Sequence, residues 1–322
     1  MCCGNSILQK GLPFFYLHKI FYTLRTKLYA NIPINLILER FHEKPKVLSF
    51  TETINYIIES ECSVSRFSDG EMGIIDQNHS PGFQKLDKKM AEQLKAALKN
   101  TNQEDLLICV PYVFDSSNLN FRTDESKKWW IKYLLFNRNQ WYQKLDFSYT
   151  YGAANFTRLY MADREKDSKK MNNYFNSIKS IWDSKNLLII EGDGTKMGVG
   201  NDLFRNSGKI KRIIAPSKNA FSKYDLIINA AIDFLKDNED YLCLLALGPT
   251  ASIMSQDICR HGFRAIDIGH IDTEYEWFTR NYSDKEAIPG KYVNESNNGQ
   301  LYFEIKNSDY EKQILSRVGD SF

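Results

Sequence analysis

The chain has 322 residues, enough for one large domain or two small ones with a sizeable core. Hydrophobic residues make up 43% and charged residues 25%, the balance of an ordinary soluble globular protein. A net charge of +2 excludes a global electrostatic case for nucleic-acid binding.

Residues 1–45 form a distinct opening extension, and residues 46–322 the main domain. Lys10, Lys19, Arg25 and Lys27 make the extension basic, and no acid precedes Glu39. Leu17, Ile20, Phe21, Leu24 and Leu28 recur at helical spacing, and Pro13 can open that helix. Charged residues break the apolar run, so it is too short to span a bilayer. It also lacks the apolar region and cleavage site of a signal peptide. Two readings stand. Residues 13–29 are a basic amphipathic helix lying on an anionic membrane surface, or they pack on the main domain or a second subunit of a homo-oligomer. Six cysteines without a CxxC pair argue against a zinc or thioredoxin-type site and for free thiols in a reducing compartment. The expected location is the cytoplasm, with peripheral contact at the inner face of the membrane under the first reading.

Ser49 and Glu52 form a capping box, so a helix starts near residue 50. A strand follows at 62–65. It delivers the stretch Arg66-Phe67-Ser68-Asp69-Gly70-Glu71. Two carboxylates separated by one glycine at a strand end can face one hard cation. The arginine three residues upstream has a fork of donors suited to phosphate. Asp-Gly is also a common surface-turn dipeptide. Further on, a helix is expected from Gln84 through Leu98, a buried strand at 105–110, an aromatic-rich helix at 125–145 and a helix before residue 180.

In the second half, apolar runs at 186–190, 210–215, 241–247 and 264–268 alternate with helical patterns. That rhythm predicts a mainly parallel α/β sheet with helices on its faces. Ligands bind such sheets beyond the carboxyl ends of the strands. After the first run comes Glu191-Gly192-Asp193-Gly194-Thr195-Lys196, whose glycines allow a phosphate-cradling loop or a plain flexible one. After the second and third come Pro216-Ser217-Lys218-Asn219 and Gly248-Pro249-Thr250-Ala251, the latter a helix start whose N–H groups accept an anion or water. After the fourth comes His270, followed by Asp272 and Glu276 on one helix face. Like charges at that spacing repel, so a cation, a sugar hydroxyl or a shared proton would account for them; the helix dipole alone explains Asp272 well and Glu276 less well. A hairpin is expected from residues 291–293 and 301–305.

These patches resemble the glycosyltransferases of the GT-D fold, a family first catalogued as a domain of unknown function. The resemblance runs from about residue 50 to about residue 280. It rests on Arg-x-x-Asp-Gly-Glu, on Gly-Val-Gly-Asn-Asp at 198–202, on Pro-Ser-Lys-Asn-Ala-Phe at 216–221, and on the run from Leu245 to Phe278. Ser68 stands where the family usually has glycine. The resemblance implies a Rossmann-like domain that uses Mn2+ or Mg2+ to transfer a sugar from a nucleotide diphosphate sugar, often UDP-glucose, to a glycan or glycoprotein. Asp69 and Glu71 then hold the metal. Arg66, Glu191, Lys196, Asn219, Gly248 and Thr250 form the donor site, and Glu276, Asp272 and His270 are the catalytic candidates. A metal-dependent phosphohydrolase and a non-catalytic subunit of a glycan-assembly complex are the alternatives.

Overall fold

A computed structural model describes residues 43–296, 299 and 307–319, all within the compact unit Glu43–Phe322. The expected helix at 13–29 lies outside the described residues, as do residues 301–305 of the expected hairpin.

The strands are β1 (Lys46–Val47), β2 (Ser63–Arg66), β3 (Leu106–Val110), β4 (Thr150–Ala153), β5 (Asn186–Gly192), β6 (Ile210–Ala215), β7 (Tyr241–Ala246), β8 (Ala265–Asp267) and β9 (Ile314–Arg317). They form one sheet in the order β1-β4-β3-β2-β8-β7-β5-β6-β9. Every pairing in it is parallel. All carboxyl ends therefore point to one edge. The first half of the chain builds outward from β2 through β3, while β8 and β7 fill the other side of β2. That reversal of strand order opens a crevice at the carboxyl ends.

β3, β5 and β7 are largely apolar because both faces of the sheet are covered. Val64, Leu107, Leu187, Ile189, Leu242, Leu244 and Ile266 face a core shared with three helices: α1 (Phe50–Ser60), α5 (Ser168–Lys179) and α8 (Ile271–Thr279). Residues of opposite parity meet α7 (Pro249–Arg260). Ser65 Oγ donates to Ser252 O at 2.6 Å, and Gln256 Nε2 donates to Ser65 Oγ at 3.1 Å and to Ala97 O at 2.8 Å. Ser252 Oγ also donates to Arg66 O at 2.6 Å, so the start of α7 is tied to the end of β2. The remaining helices are α2 (Asp69–Ile75), α3 (Lys88–Leu98), α4 (Asp124–Tyr142), α6 (Tyr224–Lys236) and α9 (Ser308–Gln313).

The capping box at Ser49 and Glu52 forms as expected. The helix expected from Gln84 begins instead at Lys88, because Asp87 caps it by accepting from Met90 N at 2.8 Å. Residues 291–293 are not a strand, and the edge of the sheet on the β6 side is β9.

Candidate active site

A cleft of about 440 Å³ opens across the carboxyl ends of β2, β8, β7, β5 and β6. That volume suits a small ligand. Ser68 leaves β2 extended and caps α2. Its N–H donates to Glu71 Oε2 at 2.7 Å, and its hydroxyl donates to Asp69 Oδ1 at 3.0 Å. Residue 68 thus fastens both carboxylates of the turn, Glu71 through a backbone N–H that glycine would also supply and Asp69 through the hydroxyl that serine adds. Asp69 and Glu71 both line the cleft. Burial pushes the Glu71 carboxyl up to about 7, and the negative charges of Asp267 and Asp69 add to it against the pull of backbone N–H groups. Such crowding of negative charge is relieved by a cation. Among the described residues no three His, Cys, Asp or Glu side chains converge as a complete metal cage. Two carboxylates fit an ion such as Mg2+, which usually keeps waters and takes substrate phosphate oxygens as further ligands.

Arg66 lines the cleft, but its donors are engaged by the fold's own oxygens. Nε and Nη2 donate to Asp267 O at 2.8 Å and Asp267 Oδ1 at 2.7 Å. Nη1 donates to Ala154 O at 3.0 Å and Thr157 Oγ1 at 2.7 Å. The guanidinium joins the ends of β2, β8 and β4. Gly269 makes room for it: with φ +45°, a Cβ there would lie 2.0 Å from Arg66 Nη2. A second arginine, Arg158, also lines the cleft, held by Glu295 from the chain after α8.

Asp272 and Glu276 do share one face of α8, and a cation does account for them, but it is the chain's own. Lys291 Nζ lies 2.7 Å from Asp272 Oδ2 and 2.9 Å from Glu276 Oε1. Asn201 Nδ2 donates to both carboxylates at 2.8 Å, and Gly198 N donates to Asp272 Oδ1 at 2.8 Å. The glycine-rich loop after β5 therefore clamps α8. Burial pushes Glu276 upward, but Lys291, Arg280 and Asn201 outweigh it and hold the carboxyl below its ordinary value. Asp272 lines the cleft and Glu276 does not. His270 also lines it, 3.3 Å from Asn294 Oδ1. Burial and the charge of Arg158 push its imidazole down to about 3, so the ring is neutral near pH 7.

Of the expected donor residues, Arg66, Asn219 and Gly248 line the cleft. Glu191, Lys196 and Thr250 do not. Glu191 is fully buried. Its Oε1 pairs with Arg212 Nη1 at 2.6 Å, and its Oε2 accepts from Met197 N at 2.7 Å. Arg212 in turn donates to Gln313 Oε1 at 2.7 Å, so this pair anchors α9 and the loop after β5. Lys196 is buried in that loop, and Thr250 is fully buried in the first turn of α7. Sequence reasoning missed Arg158, Lys291 and Phe83. Arg158 follows the end of β4, a four-residue strand that no apolar run marks, and Lys291 lies where the sequence predicts a hairpin.

The pattern defining the family described as "Glycosyltransferase GT-D fold" matches residues 64–296. The chain belongs to this family. As a GT-D-fold glycosyltransferase it is 36% identical over 272 residues to a protein of Streptococcus gordonii named probable glycosyl transferase Gly, covering 84% of this chain and 39% of that one. It is 34% identical over 288 residues to the glycosyltransferase GlyD of Streptococcus pneumoniae serotype 4, covering 88% of this chain and 34% of that one. The chain thus spans well under half the length of these curated relatives. It also superimposes on a solved structure described as a domain of unknown function 1792 with a distinct glycosyltransferase fold, with TM-score 0.80 and 34% identity over 89% of this chain and 100% of that one. A structure described as a new glycosyltransferase of the same domain type, from Streptococcus sanguinis, gives TM-score 0.79 and 33% identity over 86% of this chain and 100% of that one.

Proposed function

We propose that this GT-D-fold glycosyltransferase moves a sugar from a nucleotide diphosphate sugar, with a divalent metal, to a hydroxyl of a glycan or glycoprotein. The observation that carries the reading is the pair Asp69 and Glu71. These carboxylates are fastened by Ser68 at the switch point of a parallel sheet and crowded by Asp267. They would hold Mn2+ or Mg2+. The ion, when bound, offsets the charge that develops on the departing diphosphate.

The chain's own residues set the rest. Arg158, which lines the cleft, takes over the phosphate contact expected of Arg66. Lys218, exposed where the cleft passes the end of β6, offers a second cation. Arg66 acts as a positioning residue, because it holds the ends of β2 and β8 together. Asp272 is the carboxylate that can receive the acceptor's proton, since it faces the cleft and Glu276 does not. To do so it must loosen its Lys291 contact. Glu276 positions Lys291 and Asn201. The neutral ring of His270 can hydrogen-bond donor or acceptor without adding charge.

The test is transfer by Asp69→Ala and Glu71→Ala. Both variants should keep the parent's circular dichroism and lose turnover. Turnover retained in both would remove the metal role. UDP released without acceptor would favour a hydrolase instead.

A further inference from the structure

The loop between α2 and α3 carries Phe83 into the cleft wall. Its backbone is held from the far side of the sheet. Asn219, after β6, donates its N–H to Phe83 O at 2.8 Å, and its side-chain Oδ1 accepts from Lys85 N at 2.7 Å. Asn219 adopts φ 54° to do this, in the left-handed region that asparagine tolerates. Its contribution to the site is therefore to place this loop.

The ring is placed by Gly248. A Cβ at Gly248 would lie 2.4 Å from Phe83 Cε2, 3.0 Å from Cζ and 3.6 Å from Cδ2. The two ring neighbours of Cε2 are both clearly farther away, as in an edge-on approach. A face-on approach would bring them nearly as close as Cε2. Phe83 therefore packs on the start of α7 by its edge. Its faces are not spent on that contact, and the residue is only half-buried.

The ring thus stands at the end of β7, two strands from the Asp69–Glu71 turn at the end of β2, or about 10 Å by strand spacing. A diphosphate held near the carboxylates has its nucleoside to place along the same cleft. An aromatic face is a sequence-tolerant platform for a planar base. We propose that Phe83 is the platform for the nucleobase of the donor, and that Asn219 and Gly248 serve the donor site by placing that ring. The inference rests on the nucleotide-sugar reading above.

The experiment measures binding of UDP and of inorganic pyrophosphate to the full chain with Mn2+, by calorimetry, for the parent, Phe83→Ala and Phe83→Tyr. The parent should bind UDP more tightly than pyrophosphate. Phe83→Ala should weaken UDP by roughly tenfold or more while leaving pyrophosphate within a factor of about two, and Phe83→Tyr should retain UDP affinity. Equal UDP affinity in the parent and Phe83→Ala would overturn the proposal and leave the nucleotide-sugar reading intact. A parallel loss of pyrophosphate would also overturn it, because Phe83 would then only be supporting α7. A parent that binds neither UDP nor pyrophosphate would overturn the nucleotide-sugar reading, and this proposal with it.

Discussion

Lys291→Met removes the one positive charge shared by two buried carboxylates. Side-chain exposure is 6% for Lys291, 4% for Asp272 and 2% for Glu276, so water cannot replace the ammonium. Asn201 still donates to both acids, and Arg280 Nε to Glu276 at 2.8 Å. Breaking a buried ion pair by removing one partner costs about 3–5 kcal/mol. The surviving donors place the loss at the low end, about 3 kcal/mol. For a domain of this size that lowers Tm by about 6–12 °C. The pH dependence has a definite sign. In the parent, Glu276 is held below its ordinary pKa, so its contribution is present at neutral pH and fades as acid protonates it. In the variant, burial is opposed by Arg280 and Asn201 without Lys291, so that pKa rises and acidification costs less. Urea unfolding at two pH values, one neutral and one mildly acidic, should show a deficit that shrinks in acid. A neutral-pH loss below about 1 kcal/mol, or a deficit that grows in acid, would refute the reasoning.

Two further predictions concern the cleft. His270 has its pKa depressed to about 3, so its ring protons should show no titration by NMR between neutral pH and mild acid. The same shift means folded-state stability falls as pH drops below the unfolded imidazole value of about 6.5, because only the unfolded chain takes up that proton. A midpoint near the ordinary histidine value would contradict the burial argument. Gly269→Ala should cost about 2 kcal/mol or more in thermal unfolding, because its Cβ displaces Arg66 from Asp267 and the backbone is left-handed there. An unchanged Tm would show that the joint between β2 and β8 is not held by Arg66.

The fold was legible because its signals are local. Apolar runs such as 186–190 and 241–247 mark strands buried on both faces, and Ser49 with Glu52 marks a helix start. The parallel rhythm then places the ligand at the carboxyl ends, where Asp69, Glu71, Asn219, Gly248, His270 and Asp272 do converge. Roles of charged residues were less legible. Arg66 meets Asp267, 201 positions away, and Glu191 meets Arg212 across two strands. In a sequence, a charge that ties strands together looks the same as one that waits for substrate. The Asp272–Glu276 pattern left a cation, a sugar hydroxyl and a shared proton open, and nothing local pointed to Lys291. Phe83 was hidden because its place depends on Asn219 and Gly248, far along the chain.

A metal-dependent donor site at Asp69 and Glu71 is tested by the thermal shift of the parent, Asp69→Ala and Glu71→Ala with UDP-sugars, with and without Mn2+. Ligand at one hundred times its Kd should add about 2.7 kcal/mol of stability. The parent should show a shift that requires Mn2+ and is absent from both variants. A shift of equal size without Mn2+, or one that survives in both variants, would contradict it.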